Sequence, residues 1–244
     1  MFRYLSFIIL IITIVTRSEE VTCDADDIDF QGVFLHGLGD SPKGWQFLKD
    51  EGFAKVDWTL PSGTKRPISM ARGFEMNGWF DVWDRPIDSN SKDDENGILE
   101  SVSRIHAVLD EMIEAGAKSE NIFVGGFSQG GAVALLATYT YKKQLAGCIC
   151  LSGWLQLRNR FSTLLNDAND NTPLFWGHGS LDPVVLVDTL QTGLSSMNEH
   201  LTSSIEYHEY KEMKHRIVTE EMKHLNGWID DIRRSREQQL CKMV

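Results

Sequence analysis

The sequence predicts an α/β fold: a mostly parallel central sheet with helices on both faces, in a single domain. Three observations carry this expectation. Short apolar runs suited to buried strands alternate with stretches at helical spacing. No internal repeat and no long Pro- or Ser-rich linker divides the chain. A length of 244 residues, 42% of them apolar, is enough for one large core.

Strands are expected at 31–36 (QGVFLH), 121–125 (NIFVG), 145–151 (LAGCICL), 173–177 (PLFWG) and 204–210 (SIEYHEY), each ending where a loop begins. Ile98, Val102, Ile105, Leu109 and Met112 recur at spacings of three and four, as do Val187, Leu190, Leu194, Met197 and Leu201. Each set marks the apolar face of one helix. Glu221, Leu225, Trp228, Ile229 and Ile232 outline a last helix, with Glu221 expected at its exposed margin. The stretch 131–141 (GAVALLATYTY) is apolar nearly all round and so predicts a helix buried on every side.

The first residues, MFRYLSFIILIITIVTRS, carry one cation at Arg3, an apolar run over 4–16 and then Arg17. The run is too short for an ordinary spanning helix and has the length of a secretory h-region, which predicts a signal peptide over 1–18 ahead of a domain at 22–244. The alternative is an uncleaved anchor or an apolar start on a cytoplasmic enzyme. A secreted or secretory-lumen protein with no stable membrane span is the expectation that follows. Cys148 and Cys150, two apart in an apolar run, would face the same way on a strand as buried free thiols. Cys23 and Cys241 lie near the two ends, where an oxidising compartment would permit a disulfide. A net charge of −11 offers no electrostatic footprint for nucleic acid.

The chemistry centres on Gly126-Phe127-Ser128-Gln129-Gly130, a G-x-S-x-G pentapeptide between an apolar strand and a small-residue helix. A sharp strand-to-helix turn there strains the serine backbone and lifts Oγ above the sheet edge, and side chains at 126 or 130 would collide with the neighbouring chain. In the α/β-hydrolase arrangement that this context implies, the acid and then the histidine follow the serine. Asp182 is the best acid, on a loop after an apolar strand; Asp188 reads as a helix-face residue, and Asp167 and Asp170 as solvated loop positions. Among His200, His208, His215 and His224, His215 lies after the last strand and before the last helix, where a loop can reach Ser128. For the oxyanion, Gln129 N–H is one donor, and the loop 36–40 (HGLGD) supplies the other. His36 and His178 read as loop-supporting residues.

These motifs resemble the acyl-protein thioesterases, also described as carboxylesterases or lysophospholipases. The resemblance spans nearly the whole chain after the leader. It rests on LHGLGD at 35–40 with Trp45, GWFDVWD at 78–84, ENGI at 95–98, GGFSQGG at 125–131, LSGWLQL at 151–157, HGSLDPVV at 178–185 and MKH at 213–215. It implies hydrolysis of fatty-acyl thioesters on protein cysteines, with esterase or lysophospholipase activity besides, no cofactor and no metal. Ser128, Asp182 and His215 match the family's triad positions, and Leu38 and Gln129 its oxyanion donors. Trp79, Phe80, Trp83, Trp154 and Leu155 are candidates to line an apolar acyl site, the alternative for each being an ordinary core residue.

Three features depart from the family pattern. Lys214 and Arg216 flank the histidine where the family usually has small residues. The apolar leader precedes a first strand near which cytosolic members begin, and this favours an extracellular carboxylesterase or lysophospholipase as the rival reading. The segment between Thr64 and Asn77 is similar in position to a substrate-facing loop. The reading from another class is a non-catalytic binding protein on the same fold.

Overall fold

The computed structural model describes residues 29–243. The expected signal peptide and Cys23 lie outside the described residues, and Cys241 is exposed on the last helix.

Six strands form the central sheet: β1 (Phe30–Leu35), β2 (Val56–Thr59), β5 (Ile122–Phe127), β6 (Gly147–Leu151), β7 (Leu174–Gly179) and β8 (Ile205–Tyr210). Their order is β2-β1-β5-β6-β7-β8, and every neighbouring pair is parallel. From β1 the chain first winds outward to β2 and then crosses back to β5 to build the other half. The strand order therefore reverses between β1 and β5, and a crevice opens beyond the carboxyl ends of such a pair. A separate antiparallel pair, β3 (Thr64–Ile68) and β4 (Phe74–Gly78), lies between β2 and the first long helix in sequence.

Helices α1 (Phe47–Asp50), α2 (Glu95–Glu114), α3 (Gln129–Tyr139), α4 (Phe161–Leu164), α5 (Asp188–Asn198) and α6 (Thr219–Met243) complete the chain. Alternation along the strands divides the core into two layers. Val33, Leu35, Val124, Cys148, Cys150 and Trp176 face α2, α3 and α5. Phe34, Ile149, Leu151 and Phe175 face α6 through Leu225, Trp228 and Ile229. Cys148 and Cys150 thus share one face as buried free thiols. The α2 helix starts at Asp94, whose carboxylate caps the N–H of Gly97 at 3.1 Å and also accepts from Asp81 N–H at 2.7 Å. Every residue of α3 is buried, so no polar face interrupts the layer beneath the sheet.

All five strands expected from apolar runs are present, displaced by one or two residues at their ends. Expected ends at Gly125 and Gly177 fall short, because β5 continues to Phe127 and β7 to Gly179. Neither Gly125 nor Gly177 ends its strand; Gly177 makes room instead, since a Cβ there would sit 2.2 Å from the Glu221 carboxylate, and at the true end of β7 a Cβ on Gly179 would meet the Met213 carbonyl at 2.2 Å. Strand β2 was not expected: it is four residues long, and only Val56 and Trp58 turn inward. The 64–77 segment is the β3–β4 hairpin, whose strands are too polar for an apolar-run search.

Glu221 requires a correction. It is not at an exposed margin but wholly buried in the first turn of α6, against Gly177 of β7. Neither carboxylate oxygen has a hydrogen-bond partner. Burial pushes this carboxyl up to about 8, opposed by the nearby Val218 N–H.

Candidate active site

Ser128 stands between β5 and α3 with φ 55° and ψ −120°, a backbone strain that costs on the order of 1–3 kcal/mol. Its surroundings force that conformation. A Cβ at 126 would lie 2.3 Å from the carbonyl carbon of Gly130, and one at 130 would lie 2.1 Å from the carbonyl oxygen of Leu35 on β1. Gly130→Ala is expected to cost about 3 kcal/mol or more, because backbone and not a flexible side chain occupies the space. Urea unfolding measures this, and an unchanged midpoint would contradict the packing.

The turn aims Ser128 Oγ at His215. Ser128 Oγ donates to His215 Nε2 at 2.9 Å, and His215 Nδ1 donates to Asp182 Oδ2 at 2.6 Å. The two bonds are mutually consistent for one neutral tautomer, with the proton on Nδ1. Phe127 packs against the imidazole at a centroid distance of 4.9 Å and helps fix its plane. The other Asp182 oxygen accepts the N–H groups of Val184 at 2.8 Å and Val185 at 2.9 Å. Burial raises the Asp182 carboxyl, but the His215 hydrogen bond and these two N–H donors outweigh it and hold the group below its usual range. Asp182 is ionised at neutral pH.

The loops that deliver these residues have their own anchors. His178 Nε2 donates to Val185 O at 2.9 Å, tying the end of β7 to the residue whose N–H holds Asp182. Burial lowers the His178 pKa and keeps the ring neutral. His36 donates from Nδ1 to Gly37 O and accepts Gly63 N–H at Nε2, and burial likewise holds it neutral. Both histidines take the supporting places expected of them. His208 and His224 stack on one another at 4.7 Å on β8 and α6, with the Tyr210 hydroxyl 3.2 Å from His224 Nδ1.

A cleft of about 250 Å³ opens at Ser128 and His215. Leu38 and Gln129 border it beside the serine. Among the described residues no acceptor takes the N–H of either. The Gln129 side chain is fixed from both ends: Oε1 accepts Trp79 N–H at 2.8 Å and Nε2 donates to Phe80 O at 2.6 Å.

Of the five residues expected to line an acyl site, Trp154 borders the cleft and four do not. Trp79 and Phe80 are wholly buried behind it. Trp79 works as a strut, since its indole N–H donates to His36 O at 2.8 Å while its backbone holds Gln129. Phe80 meets Trp154 edge-on at 5.6 Å. Trp83 lies outside the cleft with the Lys92 ammonium 4.2 Å over its ring, and Leu155 borders a different, polar hollow. The other apolar residues of the lining are Leu38, Met70, Val82, Ile87, Phe127 and Val184, with Asp40, Asp84 and Arg85 among them. Met70, Val82, Ile87 and Val184 come from separate segments of the chain, none of them showing strand or helix periodicity around the residue that lines the cleft. Among the described residues no group of His, Cys, Asp or Glu is arranged to hold a metal ion, and no helix is long and apolar enough to cross a membrane.

Residues 17–232 match the Phospholipase/Carboxylesterase family. The chain belongs to this family. It is a serine hydrolase. Among its relatives, acyl-protein thioesterase 1 of Cryptococcus neoformans var. neoformans serotype D is 34% identical over 214 residues, 81% of this chain and 90% of that protein. Carboxylesterase SOBER1 of Arabidopsis thaliana is 35% identical over 202 residues, 81% of this chain and 88% of that protein. The crystal structure of Arabidopsis thaliana SOBER1 superposes with a TM-score of 0.79 at 32% identity, covering 84% of this chain and 99% of the solved one.

Proposed function

We propose that this hydrolase cleaves fatty-acyl thioesters or carboxylic esters through an acyl-enzyme on Ser128, most like an acyl-protein thioesterase. The observation that carries the reading is the unbroken line from Ser128 Oγ through His215 to Asp182. A serine hydroxyl is a weak nucleophile at neutral pH until a base takes its proton. Here Oγ attacks the acyl carbonyl carbon while His215 Nε2 accepts the hydroxyl proton. Asp182 stabilises the resulting imidazolium and keeps the ring in register. Leu38 and Gln129 N–H groups donate to the oxyanion, each such donor being worth roughly 10²–10³ in rate. Collapse breaks the C–O or C–S bond, and the leaving alkoxide or thiolate takes the proton from His215. Water then attacks the acyl-Ser128 ester, gives its proton to the same nitrogen, and the carboxylic acid departs as Oγ recovers it.

The test is covalent labelling. A fluorophosphonate is expected to form one adduct, located on Ser128 by mass spectrometry and absent from Ser128→Ala. No adduct on the wild-type protein would move a non-catalytic binding role to the front.

A second reading concerns place and leaving group. The apolar leader over 4–16 favours the secretory route, with a carboxylesterase or lysophospholipase acting there, over a cytoplasmic thioesterase. Parallel assays of a thioester and an oxygen ester bearing the same acyl chain, together with a lysophospholipid, separate these substrates.

A further inference from the structure

We infer that the Glu221 carboxyl, seated against Gly177, is a positioning residue that fixes the root of the loop carrying His215. This rests on the acyl-hydrolase reading above and concerns what holds its general base in place. The loop spans 211–218, between the end of β8 at Tyr210 and the start of α6 at Thr219. Its two sides are held differently. The leading side is stitched to the residues after β7: Ser180 N–H donates to Tyr210 O at 2.9 Å, Leu181 N–H to Met213 O at 3.0 Å, and Glu212 N–H to Ser180 Oγ at 3.0 Å. On the trailing side no backbone hydrogen bond among the described residues joins 216–218 to the sheet, and Ile217 is only partly buried. The first wholly buried residue after His215 is Glu221.

The seat connects all three members of the triad. Gly177 has no side chain to fill the space that the carboxyl occupies. Its carbonyl accepts Ser152 N–H at 2.8 Å, and the preceding residue of that segment, Leu151, accepts Ser128 N–H at 2.8 Å. Beyond Gly177 the same strand runs on to the loop of Asp182. The strands under serine and aspartate therefore meet, at this one point, the helix that follows the histidine. A shift of Glu221 moves His215 relative to the other two.

The seat suits a neutral acid and not a carboxylate. Neither oxygen has a partner, and burial raises the group to about 8. No neighbour supplies a balancing cation. Tyr210 on β8 and Cys150 on β6 are held protonated by burial, and the charges that bear on Tyr210 are the carboxylates of Glu206 and Glu220. His208, opposite Gly177 on β8, is engaged by Glu206 and stacked on His224, whose Nδ1 lies against the Tyr210 hydroxyl. Lys214 and Arg216 are exposed, and neither pairs with Glu221. An ionised, unpaired carboxylate is costly in such a place, and it reaches water by drawing the first turn of α6 outward, where Thr219 and Glu220 are already exposed. The unpinned side of the loop follows that turn. Misplacing a catalytic group by about 1 Å costs roughly 10² in rate, so the unseated form contributes almost nothing to turnover.

The measurement is kcat/KM of the full-length protein for an activated short-chain ester from pH 6 to 9.5, corrected for spontaneous hydrolysis, with far-UV circular dichroism at each pH. Wild-type kcat/KM is expected to be about tenfold lower at pH 9 than at pH 7, with the ellipticity unchanged and activity restored on return to pH 7. Glu221→Gln, which keeps the shape and cannot ionise, is expected to hold its pH 7 value through pH 9. Glu221→Met serves the same purpose should the glutamine variant fail to fold. A purely packing role would lower activity equally at every pH and leave the wild-type profile flat above pH 8, which would overturn the inference. So would an alkaline fall that persists at the same midpoint in the folded variant, or one that coincides with loss of ellipticity. Absence of turnover and of fluorophosphonate labelling at every pH overturns the underlying hydrolase reading instead.

Discussion

His215→Ala is expected to lower kcat on the order of 10⁶-fold, because groups that act as one unit lose nearly all their effect when any key member is removed. The loss follows from two bonds. Without the imidazole, Ser128 Oγ has no acceptor at 2.9 Å and keeps its proton, and the leaving group has no acid to protonate it. Some catalysis over water is expected to persist, since the proposed oxyanion donors at Leu38 and Gln129 are backbone groups that the substitution does not touch. The fold is expected to survive. His215 is part-buried on a loop, and Asp182 keeps its Val184 and Val185 donors. Turnover of an activated ester, read beside far-UV circular dichroism, checks both halves. A variant that is folded and retains more than a hundredth of the wild-type rate would remove His215 from the mechanism.

Glu221→Gln is expected to flatten the dependence of stability on pH. The wild-type carboxyl is raised from about 4.5 in the unfolded chain to about 8 in the fold, because it is buried without a partner. Between those values the folded protein holds a proton that the unfolded chain releases. The stability linked to this group is therefore fully present below pH 4.5 and is lost as pH rises through 8, in total roughly 5 kcal/mol. Its titratable neighbours do not compensate. Burial holds Tyr210 above its ordinary range, with Glu221 itself adding to the rise, and burial keeps the Cys150 thiol protonated. Glutamine cannot ionise, so the variant should match the wild type near pH 4.5 and exceed it by several kcal/mol near pH 8. Urea midpoints at a series of pH values measure the difference directly. Parallel curves for the two proteins would show that Glu221 is not buried as described.

What could be read from the sequence, and what could not, follows from how each residue is placed. The parallel strands were legible because both their faces are buried, which leaves a continuous apolar run such as 145–151 or 173–177. The residues at 128, 182 and 215 were legible because each follows a strand by a few positions, so chain order alone puts them at one end of the sheet. Strand β2 was not, since only two of its four residues point inward. The cleft walls were not legible either: Met70 and Ile87 stand in mixed loop sequence, Val184 belongs to a short apolar run with no strand or helix period, and only the folded loops gather them. The aromatics misled for the same reason. Trp79 and Phe80 lie next to the site in sequence pattern, but their indole N–H and backbone groups are committed to holding His36 and Gln129. Glu221 misled because a charged residue at a helix margin ordinarily faces water.

The hydrogen-bonded line is mounted on unequal supports. Ser128 rises from β5, which has a strand on each side and the fully buried α3 beneath it. His215 follows β8, which among the described residues pairs with β7 alone in the sheet and leaves Tyr207 58% exposed. Regions with few buried contacts open on their own well before the molecule as a whole. On warming, the rim of the sheet is therefore expected to loosen before its interior and to carry the imidazole away from the serine. Activity is then expected to fall below the melting midpoint and to return on cooling; turnover and far-UV circular dichroism followed through one heating and cooling cycle check this, and coincident losses would contradict it.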